Sequence, residues 1–456
     1  MSSRPLPIVA IVGRPNVGKS TLFNRYAGRR RALVEDVPGV TRDRIAEEVT
    51  VGARRVLLVD TAGLDPEAQA GLPAAIQAQA RAAVEEADAI LLVVDGKAGC
   101  LPEEEEIART LRRTAKPVAV AVNKIDVPAH LPRAAEFHRL GLAQLRPISA
   151  EHGSGAWDLL EELVAALPAP EAPPAAEAGL EAAPPLRIAL VGRPNVGKSS
   201  LANRLVGSER VVVSSVPGTT RDAVDLHLEL GGRRYTLVDT AGIRRPGRRA
   251  DEVERASALM AVRAIERAEV AFVVVDAAEG FTDADARVAG LVRERGRAAA
   301  VLANKWDLLP RGDGARERAR EAIAEGLRFM ADTPILPVSA RTGAGLERIL
   351  PLAETLDTAA TRRIATAELN RWLRAAVARH EPAMAQRGTR KRPLKFFYAT
   401  QTGVRPPTFV LFCTEPAAVD ASYRRFLENR LREEFELVGT PVRLRLRARG
   451  EKVDDS

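Results

Sequence analysis

The octet GRPNVGKS stands at residues 13–20 and returns, letter for letter, at residues 192–199. Each copy follows a short apolar run, IVAIVG in the first and RIALVG in the second, and precedes a segment compatible with a helix. A G-x-x-x-x-G-K-S turn in that context can surround phosphate oxygens with backbone N–H groups. We therefore expect Lys19 and Lys198 to reach the β- and γ-phosphates of a nucleotide, and Ser20 and Ser199 to ligate Mg²⁺.

Two further motifs repeat behind the octet. DTAGL at 60–64 has a counterpart in DTAGI at 239–243, and NKID at 123–126 has one in NKWD at 304–307. The offsets between the copies are 179 residues for the octet, 179 for DTAG and 181 for NKxD. A nearly constant offset over more than a hundred residues indicates a duplicated domain and not a short solenoid repeat.

Both copies alternate apolar runs with longer mixed segments. The runs are IVAIVG, VLLVD, AILLVVD and PVAVAVNK in the first copy, and RIALVG, TLVD, VAFVVVD and AAAVLANK in the second. Such runs suit strands that are buried on both faces, with helices as the crossovers between them. We predict an α/β fold class: two tandem P-loop domains, each a mainly parallel sheet with helices on both faces, followed by a small α/β domain.

The sequence divides into four parts. The two copies occupy residues 1–167 and 186–358, and a basic domain occupies 359–456. Residues 168–185, PAPEAPPAAEAGLEAAPP, have no apolar periodicity and should form an extended tether, with an interdomain helix as the alternative. In the last part TAELNRWLRAAVARH and ASYRRFLENRLREEF have helical spacing, whereas LKFFYATQ, TFVLFCT and PVRLRLRAR resemble strands, which predicts the order α-β-β-α-β.

Composition limits the function. The 456 residues are enough for two to four domains, and the formal net charge is +8. From residue 361 onward there are 20 Lys and Arg against 11 Asp and Glu, so the excess basicity belongs to the tail. Two cysteines and five histidines without metal-ligand spacing argue against disulfides and zinc and favour a reducing cytoplasm. No apolar run approaches about 18 residues, so we expect a soluble protein without a cleaved signal.

The motifs behind the octet supply the remaining nucleotide contacts. Asp60 and Asp239 end apolar strands, where a carboxylate can hold Mg²⁺ through water, and Gly63 and Gly242 leave room for a backbone N–H at the γ-phosphate. In the NKxD motifs, a carboxylate accepts hydrogen bonds from the N1–H and exocyclic amine of guanine, a donor pair that adenine lacks. GTP rather than ATP is therefore the expected nucleotide, which argues against an ATP-driven motor. Ser149-Ala150 and Ser339-Ala340 are expected to support the base through backbone contacts.

The order GxxxxGKS, T, DxxG, NKxD, SA resembles the translation-factor-related GTPases. Two such domains followed by a basic domain resemble the bacterial ribosome-biogenesis GTPase family Der, also called EngA, over essentially the whole chain. The resemblance implies that Thr41 and Thr220 are switch threonines that ligate Mg²⁺ and sense the γ-phosphate. It also implies potassium stimulation, with Asn16 and Asn195 as K⁺ ligands; simple loop capping by asparagine is the alternative.

Leu64 and Ile243 stand where many GTPases carry a glutamine that orients water, so slow intrinsic turnover is expected. The predicted catalytic residues are Lys19, Thr41, Gly63, Lys198, Thr220 and Gly242. The predicted nucleotide-binding residues of the first copy are Gly13, Arg14, Pro15, Asn16, Val17, Gly18, Lys19, Ser20, Thr21, Asp60, Thr61, Ala62, Gly63, Leu64, Asn123, Lys124, Ile125, Asp126, Ser149 and Ala150. Those of the second copy are Gly192, Arg193, Pro194, Asn195, Val196, Gly197, Lys198, Ser199, Ser200, Asp239, Thr240, Ala241, Gly242, Ile243, Asn304, Lys305, Trp306, Asp307, Ser339 and Ala340.

The basic tail points to a polyanionic partner. PVRLRLRAR alternates, so one strand face should carry Val442, Leu444, Leu446 and Ala448 and the other Arg443, Arg445, Arg447 and Arg449. RGTRKRPLKFFYATQ adds Arg387, Arg390, Lys391 and Arg392 beside Phe396, Phe397 and Tyr398, three aromatic residues that we expect in the core. The tail lacks the G-x-x-G loop of ordinary KH domains. The family resemblance nevertheless implies a KH-like domain. Such a domain either contacts rRNA by shape and charge or packs on a GTPase domain. Arg244, Arg245, Arg248 and Arg249 are either RNA contacts or solvated loop charges.

The resulting hypothesis is a cytoplasmic, monomeric GTPase switch that needs Mg²⁺, is helped by K⁺, and controls docking on the large (50S) ribosomal subunit and its rRNA during assembly. Neither DNA nor stable membrane association is expected. The alternative is a nucleotide-gated scaffold for a protein or an anionic membrane surface.

Overall fold

The computed structural model describes residues 6–28, 46–61, 81, 83–168, 184–207, 212–213, 225–238, 250–312, 314–330, 332–382, 385–387, 390–392 and 394–448. The tether at residues 169–183 and the arginines at positions 244–249 lie outside these ranges, so both predictions stand as predictions. Among the helices of the described residues, none is long and apolar enough to span a membrane.

The first copy of the repeat forms a six-stranded sheet in the order β2-β3-β1-β4-β5-β6. Strand β2 runs antiparallel to β3, and all other pairs are parallel. The strands are β1 Ile8–Val12, β2 Ala46–Val51, β3 Arg54–Asp60, β4 Ala89–Asp95, β5 Val118–Asn123 and β6 Gln144–Pro147. The helices are α1 Lys19–Ala27, α2 Pro102–Leu111 and α3 Ala156–Ala165, with a 3₁₀ segment at Pro128–Leu140.

The second copy repeats this order and adds one strand at an edge, β13-β12-β11-β7-β10-β9-β8. Its strands are β7 Leu186–Val191, β8 Val212–Val213, β9 Leu226–Leu230, β10 Arg233–Leu237, β11 Val270–Asp276, β12 Ala298–Asn304 and β13 Ile335–Pro337. The helices are α4 Lys198–Val206, α5 Ala250–Arg267, α6 Asp283–Glu294, α7 Ala315–Gly326 and α8 Ile349–Thr361, and short 3₁₀ turns lie at Trp306–Leu308, Arg328–Met330 and Leu346–Arg348.

The central strands explain why the sheets are parallel and covered. All seven residues of β11 and six of the seven in β4 are buried, as expected for strands with helices on both faces. The nucleotide motifs lie at the carboxyl ends of the sheet strands. The octet follows β1 in the first copy and β7 in the second, Asp60 ends β3, and the asparagines of the NKxD motifs end β5 and β12. Ligands bind at this edge of open α/β sheets. The predicted α/β fold class is confirmed.

The C-terminal part forms a three-stranded sheet in the order β16-β17-β18, in which β17 is antiparallel to β16 and parallel to β18. Its elements are α9 Thr366–Arg379, β14 Ala385–Arg387, β15 Arg390–Arg392, β16 Phe396–Gly403, β17 Thr408–Cys413, a 3₁₀ turn at Pro416–Ala418, α10 Ala421–Glu434 and β18 Arg443–Ala448. The predicted α-β-β-α-β order is present. The additional β14–β15 pair was missed because its three-residue, charge-rich strands carry no apolar alternation.

The prediction that all three tail aromatics lie in the core is wrong for two of them. Phe396 packs against the core, but Phe397 is 39% exposed and Tyr398 is 44% exposed. The pairing of β16 with β17 shifts register between Phe396 and Tyr398, and such a bulge breaks the inside–outside alternation. Tyr398 instead stacks on Phe412 with ring centroids 4.3 Å apart.

The arginine strand shows the predicted alternation from Val442 to Arg445, whereas residues 446–448 are all half-buried. Val442 and Leu444 are buried, and Arg443 and Arg445 are exposed, whereas Arg449 lies outside the described ranges. Arg443 lies against the second repeat, because its Nη2 atom is 3.3 Å from the position that a Cβ atom at Gly296 would occupy. One end of the arginine row is therefore taken up by contact between domains.

The C-terminal part packs on the second copy through several polar contacts. The Arg405 guanidinium lies 2.6 Å from the Asp357 carboxylate, and the Ala299 N–H donates to the Gly439 carbonyl over 2.7 Å. Arg432 of α10 also lies 3.4 Å from Asp332, so α10 lies beside the segment that follows the 3₁₀ turn Arg328–Met330.

Candidate nucleotide-binding sites

The turn after β1 can be formed only with glycine at two positions. Gly13 has φ +148°, and a Cβ there would lie 2.2 Å from the Val93 carbonyl oxygen. Gly18 has φ +97°, and a Cβ there would lie 2.3 Å from Asn123 Nδ2. Side chains at these positions would meet backbone or a buried amide, so the spacing of the motif follows from packing as well as from phosphate chemistry.

The second copy has the same geometry. A Cβ at Gly192 would lie 2.4 Å from the Val274 carbonyl oxygen, and one at Gly197 would lie 2.3 Å from Asn304 Nδ2. The asparagines of the two loops, Asn16 and Asn195, have φ of 61° and 60°, a left-handed conformation in which asparagine is enriched. Backbone conformation alone thus accounts for part of the preference for asparagine.

The motif lysines fold back over their own loops. Lys19 Nζ donates to the carbonyl oxygens of Gly13 and Arg14 at 2.8 and 2.6 Å. Lys198 Nζ donates to those of Gly192 and Arg193 at 2.7 and 2.6 Å. Burial lowers the pKa of Lys19 to about 8, although Asp60 acts in the opposite direction. An anion bound in the loop would favour the charged ammonium.

Ser20 and Asp60 supply adjacent oxygens below the first loop. Ser20 Oγ donates to Asp60 Oδ2 over 2.7 Å, and Asp60 is 3% exposed. Hydroxyl and carboxylate oxygens suit Mg²⁺, which usually takes one or two protein ligands and completes its shell with water and phosphate. The described residues contain no cluster of three or more His, Cys, Asp or Glu, and such a site does not require one. The residues of the first copy therefore fit a magnesium–phosphate site.

Asn123 joins three of the nucleotide motifs of the first copy: the phosphate loop, NKxD and SA. Its Nδ2 donates to the Val17 carbonyl in the phosphate loop over 2.8 Å, and its Oδ1 accepts from the Ala150 N–H over 2.8 Å. Asn304 repeats both bonds, to the Val196 carbonyl at 2.7 Å and from the Ala340 N–H at 3.0 Å. The amide is therefore a structural link that holds the base-binding motifs against the phosphate loop.

The NKxD lysines have acidic partners that the sequence analysis did not select. Lys124 Nζ lies 2.6 Å from Asp95 Oδ2 and donates to the Asn16 carbonyl over 2.9 Å. Lys305 Nζ lies 2.5 Å from Asp276 Oδ2. Burial would raise the pKa of Asp95, but hydrogen bonds from Lys124 and from the Lys97 backbone outweigh it and lower the pKa. Each lysine is thus fixed to the acid at a strand end, and Lys124 also to the phosphate loop.

The carboxylates of the NKxD motifs are held in the ionised form. Asp126 accepts from Ser149 Oγ at 2.9 Å and from Lys97 Nζ at 2.7 Å, and these two bonds lower its pKa. Asp307 accepts from Ser339 Oγ at 2.5 Å and lies 2.6 Å from Arg341 Nη2, and its pKa is lowered chiefly by the serine. An ionised carboxylate has about four acceptor positions, so each aspartate retains capacity for two donors of a guanine ring.

A cavity of about 410 Å³ opens beside the second phosphate loop. Such a volume is in the range of small-molecule sites. Its walls combine the phosphate loop with the NKxD and SA motifs: Gly197, Ser200, Asn304, Lys305, Asp307, Leu308, Ala340 and Arg341.

The remaining predicted residues are placed as follows. Thr61 Oγ1 donates to the Ile11 carbonyl over 2.7 Å, Ile125 is buried, and Thr21 is exposed near the start of α1. The loop prolines and Trp306 are half-buried. Predicted residues outside the described ranges are Thr41, Ala62, Gly63, Leu64, Thr220, Asp239, Thr240, Ala241, Gly242 and Ile243.

Two phosphate loops joined to guanine-selective motifs on parallel α/β sheets define a tandem P-loop GTPase. A family model described as "50S ribosome-binding GTPase" matches residues 8–124 and 187–305, and one described as "KH-domain-like of EngA bacterial GTPase enzymes, C-terminal" matches 363–447. GTPase Der of Moorella thermoacetica is 47% identical over 96% of this chain and 98% of its own, and GTPase Der of Syntrophotalea carbinolica is 47% identical over 97% and 99%. The chain belongs to the GTPase Der family and is a GTP-hydrolysing enzyme.

Among solved structures, an Aquifex aeolicus Era variant bound to GDP.AlF4− shows 28% identity. The similarity covers 46% of this chain and 73% of that one, with a TM-score of 0.29.

Proposed function

We propose that this GTPase is a cytoplasmic, monomeric switch in the assembly and stability of the large (50S) ribosomal subunit. The observation that carries the proposal is the presence, in one chain, of two nucleotide sites and a basic KH-like domain that packs directly on the second of them. The family model that matches both repeats is described as a 50S ribosome-binding GTPase. In each site, loss of the γ-phosphate would change which conformation is favoured, and the change would bias docking on rRNA.

Magnesium would be held in the first site by Ser20, Thr41 and Asp60, and in the second by Ser199, Thr220 and Asp239. When bound, the ion supplies positive charge to the phosphate oxygens. Lys19 and Lys198 add a fixed cation to the same region, and the backbone N–H groups at Gly63 and Gly242 would face the γ-phosphate. Leu64 and Ile243 cannot hydrogen-bond the attacking water, so intrinsic turnover should be slow.

Potassium would bind beside Asn16 and Asn195. Both asparagines are exposed, and within the described residues neither side-chain amide makes a hydrogen bond, so the amide oxygens remain open to an ion. A monovalent cation there would place charge near the transferred phosphate without an arginine supplied by a partner.

The KH-like domain would provide contact to rRNA. Its exposed charge includes Arg445 on β18, and the exposed rings Phe397 and Tyr398 lie on β16 of the same sheet. Because the G-x-x-G loop is missing, recognition would rest on charge and shape instead of a clamped nucleotide backbone.

Co-sedimentation with purified 50S subunits tests the proposal. The full chain loaded with a non-hydrolysable GTP analogue should sediment with the subunits, and the GDP-loaded chain should do so several-fold less. An Arg445→Glu variant should bind less, whereas Arg379→Glu, an exposed arginine on helix α9, serves as the charge-matched control. Retention of protein or lipid binding without any subunit binding would support the scaffold alternative and overturn the proposal.

A further inference from the structure

A second cavity, of about 310 Å³, lies where the KH-like domain meets the second GTPase domain. It is separate from the phosphate loops and from the guanine-side cavity. Helix α6, the turn at 328–330 and residues 332–333 form one wall, and helix α10 with residues 439–441 forms the other. The volume falls within the range of small-molecule sites.

The lining is basic. Four arginines, Arg293, Arg328, Arg425 and Arg432, face two carboxylates, Asp332 and Glu428, which leaves a net positive charge. Part of this charge is neutralised in place, since Arg432 Nε lies 3.4 Å from Asp332 Oδ2 and Arg328 forms an ion pair with Glu325. The charge that remains favours an anionic occupant over a neutral or cationic one.

Arg293 is the arginine whose charge is least compensated. It is half-buried, and among the described residues its guanidinium makes neither a hydrogen bond nor an ion pair. Burial is the largest influence on the guanidinium and lowers its pKa. The positive charge of Arg432 across the cavity lowers the pKa further. Two guanidiniums from different domains thus repel one another across an open space, and an anion between them would relieve that repulsion.

Thr440 gives an independent indication of a ligand. Its side chain is 3% exposed, lines the same cavity, and its Oγ1 makes no hydrogen bond among the described residues. A buried hydroxyl without a partner is rare, because leaving it unpaired destabilises the folded protein. A ligand oxygen would supply the missing partner.

Part of the wall is apolar, because Phe329, Met330 and Pro441 line the cavity beside the arginines. From this combination we infer that the cavity is a binding site for a small organic phosphate, with the phosphate between Arg293 and Arg432 and an apolar or ring moiety on Phe329 and Met330. Since both domains contribute walls, bound ligand would strengthen their contact.

The test uses the full chain loaded with GDP and Mg²⁺ and freed of excess nucleotide, titrated by calorimetry with inorganic phosphate, AMP and adenosine. Inorganic phosphate should bind saturably and weakly, AMP more tightly, and adenosine not at all. Arg293→Ala and Thr440→Val should each weaken AMP binding at least tenfold. Arg287→Ala, which removes an exposed arginine from the same helix, should bind as the parent does.

Thr440→Val separates loss of a ligand contact from loss of the fold. Because the hydroxyl has no partner to lose and is costly to bury unpaired, this variant should keep or exceed the parent melting temperature while losing AMP affinity. The inference is wrong if neither phosphate nor AMP binds up to about 10 mM, or if both variants bind AMP as the parent does. Failure of both probes, together with weaker binding of an RNA oligonucleotide by Arg293→Ala, would make the cavity an RNA contact instead.

Discussion

The Arg14 guanidinium lies 3.0 Å from the carboxylate of Glu104, whose side chain has no exposed surface. Arg14 is a non-glycine residue of the first phosphate loop, and Glu104 is in the first turn of helix α2, where it also accepts from the Leu101 N–H at 3.0 Å. The second copy repeats the arrangement, with Arg193 Nε 3.3 Å from the buried Asp285. In both copies a buried acid at a helix start therefore anchors the loop from the side.

Glu104→Ala should destabilise the first domain and weaken its nucleotide binding. The substitution leaves the Arg14 charge without its buried partner and removes the helix cap, an effect of about 3 kcal/mol. Thermal unfolding of the GDP-free chain and GDP titration would measure both losses. Glu106→Ala, which removes an exposed carboxylate from the same helix, should change neither. Equal behaviour of the two variants would contradict the anchoring role.

Asp307→Asn should change the base preference of the second site. The side-chain amide of the variant places an N–H donor opposite guanine N1–H, which is also a donor, so the two groups cannot form a hydrogen bond. GDP affinity at that site should therefore fall at least about a hundredfold. Xanthosine diphosphate carries a C2 carbonyl in place of the amine and should bind better than it does to the parent. Equilibrium dialysis should then find one GDP and one xanthosine diphosphate per chain. Two tightly bound GDP molecules would rule out a base-selecting role for Asp307.

Nucleotide binding to the first site should take up protons near pH 8. Lys19 has a pKa of about 8 in the folded protein, below its usual 10.5, and a bound phosphate raises it again. At pH 8, GDP binding should therefore take up about half a proton per site. This uptake should fall toward zero near pH 7, because Lys19 is already charged there before GDP binds. GDP affinity should weaken as the pH rises above 8. Calorimetry of a Gly197→Ala chain in buffers of different ionisation enthalpy measures this uptake; no difference between buffers at pH 8 would contradict it.

Asn195→Gly should abolish the potassium stimulation of the second site. Glycine keeps the left-handed backbone at φ 60° but has no side-chain oxygen to bind the ion. GTPase rates of the parent should be higher in potassium than in sodium, and the variant should give equal rates. To isolate this site, both chains carry Gly18→Ala. If the variant kept its potassium response, Asn195 would not be a potassium ligand. The left-handed backbone conformation would then be the only explanation for an asparagine at this position.

The repeated motifs were predictable because each one is fixed by a local requirement. Apolar runs buried on both faces specified the parallel sheets, and the glycine spacing followed from turns that admit no side chain. Asp95 and Asp276 could also have been found, since each ends an apolar strand and they are 181 residues apart, the offset of the NKxD motifs. The signal was present but was not used.

Other features leave no common pattern in the sequence. Asp126 is supported by Lys97, which follows β4, whereas Asp307 is supported by Arg341, which follows the SA motif. The same electrostatic role is therefore filled from different positions in the two copies. The bulge that exposes Phe397 and Tyr398 depends on pairing with β17, and the cavity between Arg293 and Arg432 depends on how two domains meet. Neither can be deduced from local periodicity.

The central claim is that one chain carries two independent guanine-nucleotide sites, and binding stoichiometry tests it most directly. A Cβ at Gly18 or Gly197 would lie 2.3 Å from the amide of Asn123 or Asn304, so each glycine-to-alanine change should eliminate its own site. Equilibrium dialysis at low micromolar GDP, too dilute to fill the weaker site proposed between Arg293 and Arg432, should give two nucleotides per chain for the parent, one for Gly18→Ala, one for Gly197→Ala and none for the double variant, with no uptake of ADP at the same concentration. A single GDP per parent chain, or ADP uptake at this concentration that is lost in Gly18→Ala or Gly197→Ala, would contradict the claim.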